Sequence, residues 1–254
     1  MNPERTACWG SMPGAVSRRH PSRLYPEFRV SSSDRALDAF RRIYESDHWK
    51  GGSGEGSQVA ATEPYRRVLA SVLGGCDIRT VVDAGCGDWQ FSRLMDWSGN
   101  RYLGVDIVPE LIAGLRQSFA SENIEFLAGD MRTQKMPKAD LLLCKDVLQH
   151  WDLESIEAFL SRNLRRYRYA LITNDVASIH MGAEMLNADI PVGHWRPLDL
   201  ECPPFGARAQ WRFDFDIRGE WTKRSLLFVR RRNRLMAKTR RMSAYNSCRG
   251  LQIA

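Results

Sequence analysis

Apolar and polar positions change period repeatedly along this chain, and the changes divide it into elements. Ala36, Leu37, Phe40, Ile43 and Tyr44 fall at helical spacing behind Ser33-Asp34, which predicts a capped amphipathic helix. A second helix is predicted from Thr62, with Pro64 in its first turn. The run Thr80-Val81-Val82 suits a buried parallel strand. Arg101–Ile107, Asn123–Leu127, Ala139–Cys144 and Tyr169–Thr173 read as four more strands. Asp152 is placed to cap a helix carrying Ile156, Phe159, Leu160 and Leu164 on one face. Finally Gln210–Asp216 alternates apolar and polar positions, as does Thr222–Arg230 in part, around Ile217-Arg218-Gly219-Glu220; this predicts a closing β-hairpin. Strands interleaved with helices and then a hairpin imply an α/β fold, with a mostly parallel sheet flanked by helices and one antiparallel strand.

The junctions between these elements carry the chemistry. The first strand runs into Asp83-Ala84-Gly85-Cys86-Gly87-Asp88-Trp89, where two glycines permit a tight turn and close approach of a ligand to the backbone. Residues 89–97 have helical apolar spacing, so the loop is expected to feed a helix. The third glycine of a dinucleotide fingerprint is replaced by Gln90, which favours a ligand without a pyrophosphate. Asp106, 19 positions after Gly87, stands at the tip of the second strand, where a carboxylate can accept both hydroxyls of a ribose; Ile107 follows it. After the third strand, Asp130 can accept from an exocyclic amine and Met131 can pack on a purine face. The fourth strand leads into Lys145-Asp146-Val147-Leu148-Gln149-His150.

Taken in order, Val82-Asp83-Ala84-Gly85-Cys86-Gly87, Asp106, Asp130-Met131 and Asp146-Val147-Leu148-Gln149-His150 resemble the class I S-adenosylmethionine-dependent methyltransferases. The resemblance covers residues 80–151. It implies a Rossmann-like seven-stranded sheet with the seventh strand inserted antiparallel, S-adenosyl-L-methionine as cofactor, and transfer of a methyl group to oxygen or nitrogen. It says little about the acceptor, because this fold hosts many chemistries.

Further site candidates follow from position. Trp49-Lys50-Gly51-Gly52-Ser53-Gly54-Glu55-Gly56-Ser57 is either a linker or a lid over the cofactor. Trp49 and Arg66 flank it, and an arginine there could hold the cofactor's carboxylate. His150 is the leading candidate for a general base, with a packing role as the alternative. Lys145 and Asp146 stand beside the crevice where α/β ligands bind, or pair with each other. Asn174-Asp175 ends the fifth strand. The long aperiodic segment 176–208 carries His180, His194, Trp195 and Arg196. Trp195-Arg196 could clamp an acceptor, or Arg196 could pair with Asp199. No metal site is expected, because the six cysteines are scattered without Cys-x-x-Cys pairing.

Composition sets outer bounds. The 254 residues are 43% hydrophobic, enough for one domain: a Pro/Ser/Arg-rich lead-in at 1–33, the core at 34–232, and a basic tail at 233–254. No run is long enough to span a membrane and no secretory signal is read, so a reducing cytoplasm is the simplest setting. Net charge is +7, yet residues 222–254 hold ten of the 37 basic residues and none of the 30 acids, leaving the rest slightly acidic. The tail is either a solvated end or a contact for phosphates or another anionic surface. A small polar metabolite or sugar-like acceptor is therefore expected. The alternatives are a protein or RNA acceptor recruited by the tail, or a degenerate fold used as a binding module. The absence of an Asn/Asp-Pro-Pro-Tyr segment after the fourth strand disfavours nucleobase amines.

Overall fold

The computed structural model describes residues 35–230, so the lead-in at 1–33, the Ser33-Asp34 cap, residues 231–232 and the tail at 233–254 lie outside the described residues. The first helix, α1 (Arg35–Glu45), buries Ala36, Leu37 and Phe40. Helix α2 (Glu63–Gly75) has Pro64 in its first turn and buries Tyr65, Val68, Leu69 and Val72. Thr62 precedes it but does not cap it: its hydroxyl donates backward to the carbonyls of Gln58 and Val59.

Seven strands follow: β1 (Thr80–Ala84), β2 (Arg101–Asp106), β3 (Ile124–Ala128), β4 (Leu141–Lys145), β5 (Tyr169–Ser178), β6 (Trp211–Ile217) and β7 (Trp221–Val229). Helix α3 (Pro109–Phe119) joins β2 to β3, and α4 (Leu153–Asn163) joins β4 to β5. The expected Asp152 cap is present, accepting from the Ser155 amide at 2.7 Å. The sheet order is β3-β2-β1-β4-β5-β7-β6. Strands β1 to β5 pair in parallel, and β7 is inserted antiparallel to both β5 and β6. This is the expected Rossmann-like sheet with its antiparallel hairpin end.

Strand alternation divides the core in two. Val82, Leu142 and Ile172 join α1, α4 and Leu198 in one buried cluster; Val81, Leu141, Leu143 and Leu171 join α2 and α3 in the other. Buried on both faces, the parallel strands read as continuous apolar runs for the expected reason. The carboxyl ends of β1, β2, β4 and β5 therefore share one edge, where the order reverses across β1 and β4.

Two expectations are corrected. No α-helix follows the glycine loop, only a 3-10 turn at Ser92–Leu94. Trp89 adopts a left-handed φ of 62°, which turns its ring beneath the sheet against Tyr102, Phe119 and Phe126 and breaks helical continuity. The fifth strand also does not end at Thr173. It runs on to Ser178 because β7 pairs along its whole length, so Asn174 and Asp175 are strand residues on opposite faces.

Candidate active site

A cavity of about 500 Å³ opens at the carboxyl edge of the sheet. Asp83, Gly85, Cys86, Gly87, Asp106, Ile107, Asp130 and Met131 line one end, from the tips of β1, β2 and β3. Gly85 and Gly87 have φ of +84° and +54°, which glycine alone adopts without strain. Their missing side chains also leave room for protein: a Cβ on Gly85 would strike Val147, and one on Gly87 would strike the Ser53 hydroxyl. The buried Asp106 carboxylate accepts from the Gly87 amide at 3.1 Å and the Val108 amide at 3.2 Å. Burial lifts its pKa to about 6 despite those amides. Asp83 is likewise lifted to about 6 by burial, moderated by the Tyr102 hydroxyl at 2.6 Å and by Lys145. Asp130 is differently placed. Its two oxygens accept from the Arg132 amide and guanidinium, including Nη2 at 2.8 Å, and from the Thr133 hydroxyl.

The opposite end is lined by Lys145, Asp146, Gln149, His150, Asp175, Trp195, Trp221 and Lys223. Lys223 bridges two carboxylates, reaching Asp146 at 2.8 Å and Asp175 at 2.7 Å. Asp146 also holds Lys145, whose Nζ donates to the Gly56 carbonyl at 2.8 Å and lies 5.2 Å from the Phe91 ring centre. Burial and the neighbouring Lys223 push the Lys145 pKa down, opposed by Asp146 and Asp175. Burial alone would lower Lys223 too, but its two carboxylates outweigh it and hold the ammonium charged. Lys145 and Asp146 thus do pair with each other, within a larger network.

His150 forms part of the wall, with Nδ1 2.9 Å from the His194 carbonyl and its ring 5.0 Å from the Trp49 ring. A carbonyl can only accept, so Nδ1 carries the proton and Nε2 is the basic nitrogen. Burial lowers the pKa to about 4, against the raising pull of that carbonyl, Asp146 and Asp175. The imidazole is neutral at neutral pH.

The glycine-rich segment lies over this cavity, lining it with Trp49, Ser53, Gly54 and Gly56. The Ser53 amide donates to Asp88 at 3.2 Å and its hydroxyl accepts from the Asp88 amide at 2.9 Å. A Cβ on Gly56 would sit 2.9 Å from Asp146 Oδ2 and 3.3 Å from Lys223 Nζ, so the segment seats directly on the charged network.

Several sequence candidates lie elsewhere. Trp89 packs in the core, and Asp88 serves the Ser53 contact; neither lines the cavity. Arg66 turns to the Val59 carbonyl at 3.1 Å. Arg196 is fully buried and donates to the carbonyls of Ala188, Leu148 and Trp151, pinning the 176–208 segment to the β4–α4 connection. Asp199 pairs with Arg224 instead. The His194 ring is exposed and it is the backbone carbonyl that meets His150; Asn174 does not line the cavity. His180 reaches the rim, beside Glu220 and the Trp221 ring. Lys223, Gln149, Tyr44 and Trp221 line the cavity without having been singled out. Lys223 left a faint signal, a lysine on an alternating strand, but it was counted with the basic tail. Lys223 and Arg224 are in fact strand residues in ion pairs.

Residues 81–168 match a family described as a methyltransferase domain. Eugenol O-methyltransferase of Ocimum basilicum is 26% identical over 133 residues, covering 52% of this chain and 31% of that protein, so the match spans about a third of the relative's length. Human N-acetylserotonin methyltransferase, solved in complex with SAM, superposes with a TM-score of 0.55 at 17% identity over 78% of this chain and 61% of that one. The N-methyltransferase NodS of Bradyrhizobium japonicum, solved in complex with S-adenosyl-L-homocysteine, gives 0.56 at 12% identity over 78% and 100%. At such identities the structural likeness establishes the fold. The matched domain at residues 81–168 and the motif order thus agree in their similarity to methyltransferases, and the sheet has the Rossmann-like fold of the class I S-adenosylmethionine-dependent enzymes. Among the described residues no helix is long and apolar enough to cross a membrane.

Proposed function

We propose that this chain transfers a methyl group from S-adenosylmethionine to an oxygen or nitrogen of a small-molecule acceptor. One observation supports this reading above the others. A single cavity joins Asp106, a buried carboxylate held only by backbone amides, to His150, whose Nε2 has no protein partner among the described residues. The fit to the cofactor is tested by Asp106 itself: a carboxylate lifted to about 6 by burial is short of donors, and a ribose diol supplies two. Asp106 would hold the ribose, Ile107 and Met131 would pack on the base, and Asp83 with the Gly85–Gly87 loop would face the amino-acid end. Asp130 contributes less than its position implies, because Arg132 and Thr133 already occupy it.

Held by Asp106, Ile107, Met131 and the Gly85–Gly87 loop, the cofactor would supply an activated sulfonium methyl with a neutral thioether as its leaving group. The protein's own work is alignment and exclusion of water, which the glycine-rich segment and Trp49 serve by covering the cavity. The acceptor's proton passes to His150 Nε2, already unprotonated at neutral pH. Titration calorimetry with S-adenosylmethionine and S-adenosylhomocysteine, with NAD as control, tests the cofactor. Binding of NAD in place of both would remove the proposal.

A further inference from the structure

We infer that the acceptor is a flat, uncharged aromatic ring bearing one nucleophilic hydroxyl or amino group, rather than a polyol or an anion. The inference rests on the methyl-transfer reading above and narrows its acceptor.

The walls at the His150 end are aromatic. Trp49 stands against His150, Trp195 beside Asp175, and Trp221 two residues before Lys223 on β7, with the His180 ring 5.4 Å from it. Flat side chains of this kind bind sugars as well as aromatic rings, so they do not decide the class alone. The floor decides it. Asp175 Oδ1 accepts from Lys223 at 2.7 Å, and its Oδ2 accepts from Gln149 at 2.9 Å and Trp195 at 3.3 Å. Gln149 Oε1 in turn accepts from the Asp175 amide at 2.8 Å. Asp146 accepts from Lys145 and Lys223, and Lys145 donates to Gly56. Two lysines balance two carboxylates, and each polar side chain named is bonded to another group of the protein.

A polyol placed here would bury several hydroxyls against groups that cannot answer them without breaking existing bonds, and each unpaired group would weaken binding. An anion would meet no net positive charge, because the lysines are already matched. An apolar ring asks nothing of the floor. Its single heteroatom needs one acceptor, and among the described residues His150 Nε2 is the nitrogen left open.

The test uses the full chain and three probes: 2-naphthol, myo-inositol and glucose 6-phosphate. Binding of S-adenosylhomocysteine is measured first by calorimetry; its failure removes the methyl-transfer reading and this inference with it. With that ligand bound, 2-naphthol is expected to bind, and to accept labelled methyl from S-adenosylmethionine, while the other two do neither. Trp195→Ala should raise the KM for 2-naphthol by about tenfold and leave S-adenosylhomocysteine affinity within twofold, whereas Trp195→Phe, which keeps a flat ring, should stay near the parent. Bound S-adenosylhomocysteine without binding of 2-naphthol overturns the inference, whatever the other probes do. So does binding of myo-inositol or glucose 6-phosphate, or an unchanged KM in Trp195→Ala.

Discussion

The two ends of the cavity are built in opposite ways. The end proposed to hold the cofactor draws on one stretch, residues 83–131, through the tips of three adjacent parallel strands. The end proposed to face the acceptor assembles Trp49, Gly56, Lys145, His150, Asp175, Trp195 and Lys223 from segments that only folding brings together. They differ in polar completeness as well. Asp83 and Asp106 are buried with few donors and sit near pKa 6, whereas Asp146 and Asp175 share the buried Lys223. One end is unfinished until a ligand arrives. The other is finished without one, so its ionic groups belong first to stability, and the proposed acceptor contacts fall to its rings and imidazole.

Four experiments would break or sharpen that contrast. His150→Ala is expected to lower kcat by about 10²–10⁴-fold, with cofactor affinity nearly unchanged. A loss below tenfold would return His150 to a packing role. Lys223→Met leaves two carboxylates without their shared counter-charge, so chemical denaturation should show a loss of about 3–5 kcal/mol, partly recovered when Asp175→Asn is added. A single variant within 1 kcal/mol of the parent would mean the network contributes little to folding. Asp106→Ala should weaken S-adenosylmethionine binding by about 1–3 kcal/mol and keep the fold; calorimetry showing unchanged affinity removes Asp106 from the site.

The smallest effect is in pH. Asp83 and Asp106 are raised from 3.8 to about 6, so the folded chain takes up their protons before the unfolded chain does. Ligand-free stability therefore rises as pH falls through 6 towards 4. His150 is lowered from 6.5 to about 4 and acts the other way, losing stability as pH falls through 6.5 towards 4. Two carboxylates against one imidazole leave a small net gain between pH 6 and pH 5. Melting temperatures across that interval, with Asp106→Asn flattening the slope, check the sign.

Much of the fold was legible because its signals are local. The strand runs, Asp83 through Gly87, Asp106 and Asp130-Met131 announce parallel strands with ligand-facing tips, since an acid or glycine at a strand's end is positioned by that strand. The glycine-rich segment over the cavity was legible as one of two options. Long side chains were read less well. Arg66 and Arg196 looked like ligand clamps, but a guanidinium turns towards whichever carbonyls surround it, and for Arg196 those lie beside residues 148, 151 and 188. Trp89 fits a helical pattern, yet a left-handed φ sends it into the core.

By itself, then, the sequence determined the α/β class, the order of the cavity-lining loops and the position of His150 after the fourth strand, because each depends on neighbours a few residues apart. Only the tertiary structure decided that β5 extends to Ser178, that β7 sets Lys223 between Asp146 and Asp175, and that Gly56 seats on them. Those contacts join residues scores of positions apart, and no local period records them. What selects them is the cost of burying a charge, which is tolerable only where the fold delivers a partner.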